Sequence, residues 1–172
     1  MNRTKSDVPA PSRQMDESQR ERIVAELTRA YNMEVETVAN YLANSIHLDG
    51  MLAMEVKESL EEDLAEELEH AKQLARRIKI LGGMPPGSQA LKMEQTQMQP
   101  PEDSIDVTSV IKGVIDAETE AIDQYQTIIE LTDGVDFVTQ DLCINLKGDE
   151  EEHRREFVGF LREYEAMKRG FK

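Results

Sequence analysis

Apolar residues recur at three- and four-residue steps along four long stretches of this chain, and nowhere do they alternate in the two-residue rhythm of a strand. The first stretch runs from about Glu17 to Leu48. Ile23, Leu27, Ala30, Tyr31, Glu34, Val38, Tyr41, Leu42 and Ser45 share its face, and Asp49-Gly50 breaks it. The second runs from about Leu52 to Leu81 with Val56, Leu60, Leu64, Leu68, Leu74 and Ile78 as its stripe, and Gly82-Gly83 ends it. The third spans about Ser104 to Leu131, with Ile111, Ile115, Glu118, Ile122, Tyr125 and Ile129 on one side. Asp133-Gly134 makes a second tight turn. The fourth fills roughly Asp136 to Met167, with Leu142, Leu146, Phe157, Phe160, Leu161 and Tyr164 inward.

The pattern predicts an all-α chain of four helices, each roughly 42–48 Å long at about 1.5 Å per residue. Short turns make helices 1 and 2 one antiparallel hairpin and helices 3 and 4 another. Residues 82–103 between them hold Gly82, Gly83, Pro85, Pro86, Gly87, Pro100 and Pro101, with a Gln/Met-rich centre. They predict a long connection with a short helical turn near Gln89–Gln95. Fully extended, such a connection reaches about 70 Å, enough to cross the whole bundle. Residues 1–16 are polar, contain Pro9 and Pro11, and read as a flexible tail. That leaves 17–172 as one four-helix bundle domain.

Charge narrows the function. The chain carries 35 Asp+Glu against 20 Lys+Arg, a formal net charge of −15. Nucleic-acid binding, which works by neutralising phosphates, is not expected, whereas an acidic surface concentrates cations. Cys143 is the one cysteine, which excludes an internal disulfide and reads as a reduced core thiol. No segment approaches the roughly 20 apolar residues of a membrane span, and the N-terminus lacks the apolar core of a secretory signal. No membrane contact and a cytoplasmic location are therefore expected.

Two Glu-x-x-His motifs carry the chemistry. Glu67 and His70 form the first, Glu150 and His153 the second, and a lone glutamate precedes each: Glu34 by 33 residues and Glu118 by 32. In an antiparallel hairpin, equal distance from the turn means equal height. Glu34 and Glu67 flank Asp49-Gly50 almost symmetrically, as Glu118 and Glu150 flank Gly134, so all four fall about 24 Å from their turns. Each histidine, three residues past its glutamate, lies on the same helix face. Six ligands then converge in mid-bundle, the four-Glu, two-His set of carboxylate-bridged dinuclear sites. Burying four carboxylates without counter-charge costs many kcal/mol, which two cations relieve. Carboxylate and imidazole ligands suit iron and manganese, and zinc binds them as well.

Tyr41 and Tyr125 each follow a lone glutamate by seven residues. They read equally as ordinary core aromatics or as donors to the carboxylates of the opposite hairpin. His47 has no partner motif and reads as a surface or capping residue. Glu62, Asp63, Glu66 and Glu69 around the first motif, and Asp149, Glu151 and Glu152 around the second, read as solvated charge.

At AYNMEVETVANYL, EELEHAKQLARRIKILGGMP, ETEAIDQY and DEEEHRREF the chain resembles the ferritin-like superfamily, in particular bacterioferritins and the bacterioferritin-related Dps-like mini-ferritins. The resemblance covers about residues 20–168. It implies a ferroxidase centre with two iron ions per subunit. Glu34 and His70 would hold one iron, Glu118 and His153 the other, and Glu67 and Glu150 would bridge them. Fe²⁺ would be oxidised by O₂ or H₂O₂ and stored in a hollow homo-oligomer. The chain departs from its relatives at three points. Leu68 stands where bacterioferritins carry a haem-ligating methionine, so haem is not expected. Ala121 stands where rubrerythrins carry an extra glutamate, and there is no Cys-x-x-Cys. A single cysteine cannot supply the pair found in Dps-like mini-ferritins. Nineteen residues follow His153, which leaves little for the fifth helix of 24-subunit shells and favours 12 subunits. The competing function on this scaffold is a non-storing redox enzyme: a manganese catalase, a rubrerythrin-like peroxidase or a di-iron oxygenase. A DNA-protecting role has little support in a tail with only Arg3, Lys5 and Arg13 as its basic residues.

Overall fold

The computed structural model describes residues 15–170. They form four helices: α1 (Glu17–His47), α2 (Met54–Ile80), α3 (Val107–Thr132) and α4 (Phe137–Gly170), with a single 3₁₀ turn at Met51–Ala53 leading into α2. There is no strand among the described residues, and no helix is long and apolar enough to cross a membrane. The greater part of the expected tail, residues 1–14, lies outside the described residues. Asp16, at its end, caps α1: its side chain accepts the Gln19 N–H at 2.8 Å while Gln19 reaches back to the Asp16 N–H.

α1 packs along α2, α3 along α4, and the two hairpins meet mainly through α1 and α3. Two apolar clusters fill the bundle. One sits at the α1–α2 turn end, around Tyr41, Leu60, Ile111, Val114 and Phe157. The other sits at the opposite end, around Ile23, Leu27, Leu74, Ile78, Tyr125 and Leu146. The layer between them holds the buried glutamates. Gly50 and Gly134 both adopt positive φ, at 97° and 65°, a region open to glycine and costly for most side chains, so each hairpin reverses where the Asp-Gly pair stands. At the far end Arg77 of α2 grips Asp136, the residue that opens α4, through both carboxylate oxygens at 2.7 and 2.8 Å, and its Nε donates to Thr139 at 2.7 Å.

The 82–103 connection crosses the length of the bundle against a polar track on α1. Glu36 accepts the backbone N–H groups of Glu94 and Gln95 at 2.8 and 2.7 Å. Asn40 donates to Gln95 Oε1, Asn44 donates to the Met98 carbonyl, and His47 Nε2 lies 2.7 Å from the Pro101 carbonyl. Glu36, Asn40 and Asn44 recur every fourth residue, so one face of α1 supplies these hydrogen bonds. This arrangement corrects the expected helical turn over 89–95. The turn lies earlier, where the Ala90 and Leu91 N–H groups reach the Gly87 carbonyl, because the 94–95 amides are already committed to Glu36. Met98 is drawn into the core as the connection passes.

Two stripe residues also face the other way. Leu42 and Leu68 are 55% and 42% exposed. Each follows an inward residue, Tyr41 or Glu67, and one helical step of about 100° turns it outward. α1 and α2 thus present more apolar surface than a lone bundle needs.

Gly113 in α3 shows how close the connection runs. A Cβ there would stand 2.3 Å from the Gln97 carbonyl oxygen. In an open helix Gly→Ala gains about 1 kcal/mol; here overpacking costs about 1–3 kcal/mol. Gly113→Ala is expected to lower the melting temperature, whereas Gly148→Ala, with nothing within 4 Å, should raise it. Equal shifts in the same direction would show that the connection yields freely.

Candidate metal centre

Each helix sends one glutamate into the layer between the two apolar clusters: Glu34 from α1, Glu67 from α2, Glu118 from α3 and Glu150 from α4. His70 and His153 follow on α2 and α4. All six are buried. Ligand atoms of Glu34, Glu67, His70 and Glu150 lie within 4.8 Å of one another, and so do those of Glu67, Glu118, Glu150 and His153. The two sets share Glu67 and Glu150.

The shared pair divides its oxygens between the histidines. Glu150 places Oε1 3.1 Å from His70 Nδ1 and Oε2 3.2 Å from His153 Nδ1. Glu67 places Oε2 3.4 Å from His70 Nδ1 and Oε1 3.3 Å from His153 Nδ1. The imidazoles stack with centroids 6.3 Å apart. Both Glu67 oxygens, Glu150 Oε1 and His70 Nδ1 are buried without a hydrogen-bond partner among the described residues. Leaving such atoms unsatisfied is costly, and oxygen and nitrogen lone pairs converging from four helices are what a pair of cations would satisfy. The donor set therefore fits two metal ions.

The tyrosines resolve in favour of the second of their two readings. Tyr41 of the first hairpin donates its hydroxyl to Glu118 of the second, and Tyr125 of the second donates to Glu34 of the first. Each fixes one oxygen of a lone glutamate across the hairpin boundary. His47 stays away from the centre, on the Pro101 carbonyl. Cys143 is buried in the apolar cluster at the end opposite the α1–α2 turn, and burial raises its thiol to about 12.

Without metal the layer is electrostatically frustrated. Burial first, then the charges of Glu67 and Glu150, hold Glu34 and Glu118 well above the usual carboxylate range. Burial also opposes ionisation of Glu67, but the His153 and His70 rings, 3.3 and 3.4 Å away, more than offset it and keep this group ionised. Burial disfavours the imidazolium forms, yet contact with Glu150 and Glu67 raises His70 to about 10 and His153 to about 12. The histidine protons stand in for metal charge.

Three residues set aside in the sequence as solvated charge belong here. Asp149 lies against His70, and Glu66 and Asp63 lie against His153, all on the Nε2 side. The signal was present: an acidic residue immediately precedes the glutamate of both Glu-x-x-His motifs. The neighbouring Glu69, Glu151 and Glu152 do stay on the surface, paired with Lys72 and Arg76, with Lys147 and with Arg155.

The ferritin-like domain family matches residues 24–167. The chain belongs to the ferritin-like family. It is 33% identical over 115 residues to a bacterial ferritin of Neisseria meningitidis serogroup B, covering 66% of this chain and 69% of that one. Its fold is similar to that of a dodecameric thioferritin, the bacterioferritin-related protein of Bacteroides fragilis, with a TM-score of 0.81 at 26% identity over 88% of this chain and 91% of the other. The fold is also that of the Desulfovibrio desulfuricans bacterioferritin, with a TM-score of 0.71 at 21% identity over 87% and 83% of the two chains.

Proposed function

We propose that this ferritin-like protein is a ferroxidase serving iron storage or detoxification. Its substrate is Fe(II), bound two ions per chain, and its oxidant is O₂ or H₂O₂. Glu34 and His70 hold one ion, Glu118 and His153 the other, and Glu67 and Glu150 bridge them. The observation that carries the reading is the division of the Glu67 and Glu150 oxygens between the two histidines. A carboxylate so shared spans two ions roughly 3.5–4 Å apart. Tyr41 and Tyr125 orient the terminal carboxylates. Manganese or zinc fits the same donors; iron is favoured by the family. Leu68, turned outward, offers no sulfur to haem.

Storage requires a hollow homo-oligomer. Twelve subunits, as in the Bacteroides fragilis relative, is the preferred state, and 24 is second. Exposed apolar residues support assembly: Leu42, Ile46, Met51, Leu52 and Met54 near the α1–α2 turn, and Ile80, Met84, Phe137 and Val138 at the other end. Patches of this kind mark protein contacts. Size-exclusion chromatography with light scattering, run with and without Fe²⁺ while the ferric product is followed by absorbance, tests the reading. A twelve-subunit particle that retains ferric iron is expected. A monomer or simple dimer at micromolar concentration would transfer the same centre to a non-storing redox enzyme.

A further inference from the structure

The polar track of α1 runs one turn further than the connection follows it. Glu36, Asn40 and Asn44 each hold a group of residues 94–98. Asn32 stands four residues before Glu36, on the same face of the helix. It is 7% exposed, and its Oδ1 is buried with no hydrogen-bond partner among the described residues. Asn32 lines a cavity of about 250 Å³, walled by α1, by residues of the connection from Ala90 to Gln95 and by Glu120 of α3. A buried acceptor left unmatched is costly, so this position calls for an N–H or O–H donor from within the cavity.

The charges around the cavity narrow the donor. Arg29 of α1 and Lys92 of the connection bring two positive groups, and Glu94 and Glu120 bring two negative ones. None of the four joins an ion pair among the described residues. Glu36, also in the wall, has both oxygens taken by the Glu94 and Gln95 amides. A simple anion would suit the two cations and be repelled by the glutamates; a simple cation would meet the reverse. A molecule carrying both signs satisfies both. Its ammonium can donate to Asn32 Oδ1, which a carboxylate cannot do, and its carboxylate matches the guanidinium fork of Arg29. The volume falls below the roughly 300–1,000 Å³ of sites for larger, mostly apolar ligands and suits a small metabolite. We propose that this cavity binds a free α-amino acid, with the ammonium on Asn32 and the carboxylate between Arg29 and Lys92. Bound there, it ties the connection to α1 one turn before the Glu36 anchor. The cavity shares no residue with the metal centre, so metal-free protein suffices to test it.

The test titrates the full chain by calorimetry with each of the common L-amino acids in turn. At least one should bind, with one site per chain. Asn32→Ala should weaken that ligand about 10–100-fold, the usual cost of losing a hydrogen bond to a charged group. The double variant Arg29→Ala/Lys92→Ala should weaken it by about 10-fold or more. Asn32→Asp keeps an oxygen toward the ammonium and should bind at least as tightly as wild type. Lys112→Ala, which removes an exposed cation of α3 outside the cavity, should change affinity less than about 2-fold. The methyl ester of the same amino acid, lacking the carboxylate, and its deaminated acid, lacking the ammonium, should each bind about 10-fold more weakly or worse. Circular dichroism checks the fold of each variant. Should Asn32→Ala fail to fold, the Arg29/Lys92 pair at the exposed rim and the two ligand analogues still decide. Binding by no amino acid would overturn the proposal, whether water or a neighbouring copy's side chain meets Asn32. An ester or a deaminated acid as tight as the parent would mark a plain cation or anion site, and either overturns it. Wild-type affinity in Asn32→Ala does the same.

Discussion

Glu67→Ala and Glu150→Ala are each expected to lower the initial rate of Fe(II) oxidation by at least about 100-fold while the four helices remain. Loss of a group behind a ligand already costs about 10–100-fold in affinity or activity, and in the proposed centre these two glutamates would each serve both ions. Both are fully buried, and the Glu67 oxygens have no protein hydrogen bond to lose. The apo variants should keep the helical circular-dichroism spectrum even as oxidation fails, which separates loss of chemistry from loss of fold. His47→Ala, whose ring lies against the Pro101 carbonyl, should oxidise iron at the wild-type rate. Stopped-flow absorbance of the ferric product, with circular dichroism melts of the same samples, decides the matter. Wild-type rates in both bridge variants would move the chemistry to the acidic surface.

Metal and pH should act on stability together. Glu34 and Glu118 have folded pKa values raised above 4.5, and His70 and His153 have theirs raised from 6.5 to about 10 and about 12. A group raised on folding holds a proton that the unfolded chain has released. Its contribution is complete below the unfolded pKa and is lost as pH climbs toward the folded one. For the two glutamates that loss begins near pH 4.5; for the histidines it runs from about 6.5 to beyond 10. Glu67, lowered on folding, works in the opposite sense, its contribution disappearing on acidification below 4.5. Between pH 5.5 and 8.5 the apo protein is therefore expected to lose stability. Divalent ions bind the deprotonated ligands, so they compete with exactly those protons and gain affinity as pH rises. An ion at about 1,000 times its Kd adds about 4 kcal/mol, and at about 2–4 °C per kcal/mol the melting temperature rises by roughly 8–16 °C. The gap between metal-loaded and apo melts should widen from pH 5.5 to 8.5. A constant gap, or an apo protein that gains stability with pH, would contradict the charge pattern of the centre.

The sequence by itself determined the four helices, their two Asp-Gly reversals and the convergence of Glu34, Glu67, His70, Glu118, Glu150 and His153. Those follow from local rules: a 3.6-residue period, glycine's freedom at positive φ, and equal distance from a turn. They repeat in both hairpins, so each half checks the other. Tertiary structure decided what depends on contact between segments distant in the chain. Tyr41 and Tyr125 became carboxylate donors because the opposite hairpin brought Glu118 and Glu34 to their hydroxyls. Glu36, Asn40 and Asn44 became an anchor for residues 94–98, which a helix read in isolation shows only as polar positions. Leu42 and Leu68 turned outward because the inward face is set by which helix stands opposite, and a stripe broad enough for two readings leaves that open. Asp63, Glu66 and Asp149 share the composition of the surrounding acidic surface. Only the packing of α2 against α4 separates them from it, by placing their carboxylates on the far side of two imidazoles.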